Sequence, residues 1–149
     1  MNVCIFRGEL ILRLLISLGL AVAAIFAITI KPALALTPQD VLESLKKEAS
    51  STPGFQGFSA TRGENFYKTK HGNELSCSSC HTDNPSAEGK HAKSDKLIKP
   101  LAPAANPERF TDMAKIEKWF RRNCNDVLDR LCTAQEKGDF LSYLMTIKK

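Results

Sequence analysis

Outside residues 77–80 the chain has no second C-x-x-C, and it has no H-x-x-x-H at all. Structural zinc sites draw on two such pairs, so zinc would be short of half its ligands. The βαβ pattern that frames a thioredoxin-like redox pair is missing too. No stretch alternates apolar and polar residues as a half-buried strand does, so the expectation is an all-α domain with long connections. A large charge excess is also absent. The formal charge is +5 over 149 residues, and without residues 1–35, which contain Arg7, Arg13, Lys31 and Glu9, 18 basic and 15 acidic residues leave +3. So mild an excess does not argue for nucleic acid, although it allows docking to an acidic protein. The length accommodates one domain and an N-terminal extension.

What is present is Cys77-Ser78-Ser79-Cys80-His81. C-x-x-C-H is the attachment signature of c-type haem. Two thiols at this spacing can each form a thioether to a haem vinyl group, and the adjacent histidine then meets the iron as its proximal ligand. Cys77 and Cys80 are therefore the expected covalent anchors of one haem c, and His81 the expected axial ligand.

Arg7 and Arg13 precede the apolar run 14–30, and Ala33-Leu34-Ala35 follows Lys31-Pro32. A positive start, an apolar core and an A-x-A site make an export signal with cleavage after Ala35. The expected division is a signal segment over 1–35 and a cytochrome domain over 36–149. An uncleaved membrane anchor through 14–30 is the rival reading, since about 17 residues is the lower limit for spanning a bilayer. Either way the domain faces an oxidising compartment, the periplasm, where haem attachment and disulfides are both feasible. Cys4 lies in the removable segment. If Cys77 and Cys80 carry haem, Cys124 and Cys132 are free to pair.

Thr37-Pro38-Gln39-Asp40 opens a first helix with a capping box and proline at its first position. Val41, Leu42, Leu45 and Ala49 recur at helical spacing, and Ser50–Gly54 ends it. Thr61-Arg62-Gly63-Glu64 is a second capping box, leading through Phe66 and Tyr67. Gly63 with an aromatic three residues on resembles the N-terminal helix of class I cytochromes c, where a small residue lets the C-terminal helix cross closely. From Asn84 to Pro107 there is no periodicity, and five proline or glycine residues rule out long helices. Lys90, Lys93, Lys96 and Lys99 make this loop basic, as a solvated loop or as a docking rim. Thr111 starts the next helix, with Met113, Ile116, Trp119 and Phe120 as its apolar stripe. Phe66 and Trp119 are candidates for packing in a haem pocket. Thr133-Ala134-Gln135-Glu136 caps a last helix running to about Ile147, with Phe140, Leu141, Leu144 and Met145 buried and Tyr143 at the margin.

Cys124 and Cys132 would lie about 12 Å apart along one unbroken helix, whereas a disulfide needs roughly 4.4–6.8 Å. If they pair, the helix from Thr111 has to end near Asn123 and the chain has to fold back before Thr133. Such a ring would contribute about 2–3 kcal/mol. For the iron's sixth position, Met113 and Met145 are the methionine candidates, and His71 and His91 flank His81 ten residues to either side. An open site is the remaining alternative.

The stretches Pro100–Asp112, Glu117-Lys118-Trp119-Phe120-Arg121-Arg122-Asn123-Cys124-Asn125 and Cys132–Asp139, together with the haem motif, resemble the sphaeroides haem protein (SHP) family of monohaem c-type cytochromes. The resemblance covers most of residues 37–147. It implies a class I cytochrome c-like helical domain wrapped around one covalent haem, a Cys124–Cys132 disulfide, and Asn123 as the sixth ligand of the ferric iron, released on reduction so that oxygen or nitric oxide can bind. It also implies a dihaem cytochrome c as electron donor. One departure is Asp129, where the family carries glycine. An amide carbonyl is a neutral, hard oxygen donor, better suited to ferric than to ferrous iron. Asparagine at a helix end is also a common cap, and that is the competing role for Asn123.

Three functions compete: a haem protein that accepts electrons and binds a small diatomic, a plain electron carrier with Met113 or His91 fixed on the iron, and a small peroxidase or nitrogen-oxide reductase. The last wants a distal acid–base group, for which His71, His91 and Arg109 are the candidates.

Overall fold

The computed structural model describes residues 36–148. The expected signal or anchor segment lies outside the described residues. Five helices and one small strand pair make up the domain: α1 (Pro38–Ala49), α2 (Ala60–Lys68), α3 (Ser78–His81), β1 (Gly89–Lys90), β2 (Leu97–Ile98), α4 (Met113–Leu128) and α5 (Ala134–Thr146). The domain is mostly helical, as expected. The strands pair antiparallel, Gly89 opposite Ile98 and Lys90 opposite Leu97. They are an addition to the expected all-α fold, since two residues per strand are too few to alternate.

Both expected outer caps form. Thr37 accepts from the Asp40 N–H at 3.2 Å while Asp40 accepts from the Thr37 N–H at 2.9 Å. Thr133 and Glu136 make the same reciprocal pair. The middle cap moves. Ser59, not Thr61, starts α2 and accepts from the Arg62 N–H at 3.3 Å. The cause is tertiary. The buried Asp139 of α5 accepts from the Ser59 N–H at 2.6 Å, from Arg62 Nε at 2.7 Å and Nη2 at 2.9 Å, and from Gln135 Nε2 at 3.0 Å. A buried charged acceptor with four donors outweighs a local capping box, whose Glu64 pairs with Lys68 instead.

The same place is where α2 and α5 cross. A Cβ on Gly63 would overlap the Asp139 carbonyl and come within 2.9 Å of the Tyr143 Cβ. A Cβ on Gly138 would overlap the ring of Phe58. The close crossing expected at Gly63 is present. It brings together two groups of core side chains. Tyr67, Leu101, Phe140, Tyr143 and Leu144 form one; Val41, Leu45, Ile116 and Leu141 form the other. Phe110 and Phe120 pack against both and join them. Tyr143 is buried rather than marginal, in the group of Tyr67, and Met145 is 38% exposed rather than buried.

Asp112 caps α4, accepting from the Lys115 N–H at 3.0 Å, one residue after the expected start at Thr111. The helix does not stop near Asn123. It continues to Leu128 and ends on Asp129, whose backbone is left-handed at φ +58°. Glycine favours that conformation and aspartate tolerates it.

Gly63→Ala is expected to lower folding stability by about 1–3 kcal/mol, because the two nearest opposing atoms are backbone and cannot rotate away. Asp139→Asn is expected to cost about 1.5–3 kcal/mol through the lost charge-assisted bonds. Denaturant unfolding of each variant checks both, and an unchanged midpoint for Gly63→Ala would mean that the helices cross elsewhere.

Candidate haem site

The C-x-x-C-H residues occupy one helical turn. The His81 N–H donates to the Cys77 carbonyl at 3.1 Å and the Cys80 N–H to the same carbonyl at 3.3 Å. Residues three and four apart share a helix face, so Cys77, Cys80 and His81 are brought together. Ser76 and Ser79 tighten the turn: the Ser79 N–H donates to Ser76 Oγ at 3.1 Å and the Ser76 N–H to Ser79 Oγ at 3.0 Å.

The turn's chemistry fits a covalently held haem. Both thiols are free, and here they stand in for thioether sulfurs. Burial pushes the Cys77 thiol up to about 12. A neutral buried thiol is neither a ready zinc ligand nor a redox nucleophile. Burial, with a smaller contribution from the Arg109 charge, pushes His81 down to about 4. The imidazole is then neutral at pH 7, the form that ligates metal. Cys77 packs with Phe66 and Phe110 against the Tyr67–Leu101 side of the core, which supplies an apolar wall.

Three contacts hold the turn from behind. The buried Tyr67 hydroxyl points at the carbonyls of His81 and Thr82, at 3.2 and 2.6 Å. Burial raises its pKa, so it stays a donor. Thr82 adopts φ +61° and ψ 172°, a backbone region essentially reserved for glycine, and Tyr67 fixes it there. Gly89 lies against the Cys80 carbonyl, where any Cβ would overlap it. The Ala92 N–H approaches Cys80 Sγ at 3.4 Å. The strand pair is thus built directly onto the second anchor cysteine.

Asn123 is exposed in the third turn of α4, and its side-chain amide makes no hydrogen bond among the described residues. The cap at Asp129 removes the competing role of Asn123 as a helix end. Trp119, one turn earlier and 45% exposed, shares that side of α4, flanked by Lys118 and Arg122. Cys124 and Cys132 are joined, with Cα atoms 5.6 Å apart. The separation shrinks because the chain reverses after Leu128, not because the helix is short. Arg130 forks onto Glu136 at 2.8 and 2.6 Å across this reversal.

Of the other ligand candidates, Met145 is 38% exposed near the end of α5, and three make contacts of their own. Met113 packs with the Val41–Leu141 group. His71 Nε2 bonds the Phe66 carbonyl at 2.9 Å. His91 Nδ1 accepts from the Lys93 N–H at 3.3 Å. Arg109 binds the carbonyls of Pro100 at 3.0 Å and Lys99 at 2.8 Å, and its charge acts on His81. Sequence reasoning missed Tyr67 and Gly89 as supports of the turn. Only the lone tyrosine on a helix leading to the motif gave any sign.

The family described as "Domain of unknown function (DUF1924)" matches residues 53–144. The chain is 43% identical over 104 residues to cytochrome c'' of Methylophilus methylotrophus, covering 67% of this chain and 72% of that protein. It is 49% identical over 69 residues to the cytochrome c-type protein SHP of Cereibacter sphaeroides, covering 46% of this chain and 53% of that one. The crystal structure of oxidized cytochrome c'' is similar with a TM-score of 0.66 at 38% identity, covering 75% and 95% of the two chains. The structure of oxidized SHP, an oxygen-binding cytochrome c, gives 0.67 at 33%, covering 76% and 99%. A solution structure of cytochrome c'', which bears on haem-ligand detachment, gives 0.62 at 41%, covering 73% and 95%.

Burial alone would raise the Glu136 carboxyl, but Arg130 and the Thr133 N–H and hydroxyl hold it below its ordinary value of 4.5. Its contribution to stability is therefore present above the unfolded value and lost as pH falls through the folded one. Glu136→Gln should be less stable than wild type at pH 7, with the difference closing as the pH drops below about 4. Urea unfolding across that range measures it.

Proposed function

The chain belongs to the family of cytochrome c'' and SHP and is a c-type cytochrome with covalent haem c, and on that premise we propose that it accepts an electron and then binds a small diatomic, oxygen or nitric oxide, after Asn123 lets go. One haem is held by Cys77, Cys80 and His81, the single attachment motif in the sequence. The haem supplies a redox-active iron with one exchangeable coordination position.

The protein's part is to fill that position conditionally. The Asn123 amide offers a neutral oxygen donor, which holds a ferric centre better than a ferrous one. The observation that carries the reading is an exposed, unbonded Asn123 amide directly ahead of the disulfide at Cys124. SHP is described as oxygen-binding, and a cytochrome c'' structure as bearing on haem-ligand detachment; both descriptions support the reading. The carrier reading loses Met113 to the core and is left with His91, bonded through Nδ1. In the peroxidase reading, Arg109 is already occupied by the Pro100 and Lys99 carbonyls.

Residues 1–35 serve as the export signal, or 14–30 as an anchor if uncleaved, and the domain works in the periplasm. The electron donor is a dihaem cytochrome c. The basic strand pair is its dock: Lys90, Lys93, Lys96 and Lys99 are exposed around Leu97, itself 75% exposed, on the segment that touches Cys80.

Asn123→Ala is expected to convert the ferric spectrum to a high-spin form and leave the ferrous and carbon-monoxide spectra unchanged. A low-spin ferric spectrum persisting in this variant would reject Asn123 as the ligand. Lys93→Glu with Lys96→Glu should slow second-order reduction by an acidic dihaem donor about tenfold at low salt, with the difference shrinking as salt rises. Stopped-flow mixing at several ionic strengths checks this.

A further inference from the structure

The last four carbonyls of an α-helix have no partner within it. In α4 the Asn125 carbonyl is taken by the capping N–H of Asp129 at 3.1 Å. The next two are taken by one residue from another part of the chain. Asn73 Nδ2 donates to the Asp126 carbonyl at 3.0 Å, and the Asn73 N–H donates to the Val127 carbonyl at 3.3 Å. Gly72 lets this approach happen, since a Cβ there would stand 3.1 Å from the Leu128 carbonyl.

Asn73 belongs to a tight turn closed by the His71 N–H to the Leu75 carbonyl and the Glu74 N–H to the His71 carbonyl, both 2.9 Å. Glu74 sits there at φ +55°. From Asn73 the chain runs only four residues to Cys77. On the α4 side, Asp126 lies three residues beyond Asn123 and two beyond Cys124, whose disulfide ties the same turn to Cys132.

We propose that Asn73 is a positioning residue, a clip that fixes the last turn of α4 to the haem-attachment turn and so sets where Asn123 stands relative to His81. This rests on the reading of Asn123 as a releasable ligand. Without the clip, the bonds left at this end of α4, the disulfide and the Arg130–Glu136 pair, tie it toward α5 and not to the haem-bearing segment. Asn123 released on reduction would then return to its position less readily on oxidation.

The test uses the haem-loaded protein with Asn73→Ala and Asn73→Asp. The aspartate keeps the side chain's shape and removes its donor, so the contact can be broken if the alanine variant folds poorly. Both variants should raise the ferric high-spin fraction about 2- to 10-fold, the range one exposed hydrogen bond spans. They should also speed amide exchange at residue 73 by a similar factor, with the ferrous carbon-monoxide spectrum unchanged. A wild-type ferric spectrum in both variants, while Asn123→Ala alters it, overturns the clip and leaves the ligand reading standing. An unaltered ferric spectrum in Asn123→Ala removes the ligand reading and the clip's role with it.

Discussion

Between α2 and α5 there is no room for one methyl group. Gly63 meets the Asp139 carbonyl, Gly138 meets Phe58, and the Asp139 side chain gathers Ser59, Arg62 and Gln135 around the contact. The rest of the molecule takes its positions from this crossing. Tyr67 lies one turn beyond Gly63, so the crossing decides where its hydroxyl reaches. That hydroxyl holds the carbonyls of His81 and Thr82. The backbone at His81 is thereby tied to a glycine that never touches it.

The haem turn is held from three directions by different means. Tyr67 supports its C-terminal end from the core. The strand pair at Gly89–Ile98 presses on Cys80 from the solvent side. The turn at His71–Leu75 leads into it and binds the end of α4. Each contact is modest, about 0.5–1.5 kcal/mol for an ordinary hydrogen bond. Together they leave the anchor cysteines a fixed geometry while α4 keeps a side exposed at Trp119 and Asn123.

Local features were legible in the sequence and distant ones were not. The caps at Thr37 and Thr133 are i,i+3 pairs that carry their own partner, and the haem turn is a contiguous motif. Ser59 displaced Thr61 because its partner, Asp139, is 80 residues away. The length of α4 was hidden by Asp129, an aspartate doing the work of a C-terminal glycine. Asn73 and its α4 carbonyl at Asp126 are 53 residues apart. The crossing at Gly63 could be expected only because a similar helix pair was known to need a small residue there. Asn123 carries no periodicity or spacing that marks it; its assignment came from resemblance to related cytochromes.

Trp119 is the chain's single tryptophan, and it stands one helical turn from Asn123 on the same exposed side of α4. A porphyrin quenches indole emission by energy transfer over tens of ångströms. Steady-state fluorescence is therefore a native optical gauge of this helix, with no label and no competing emitter of its kind. Beside a bound haem the emission would be almost wholly extinguished, so recovered brightness would mark this helix moving far from the haem, as on unfolding.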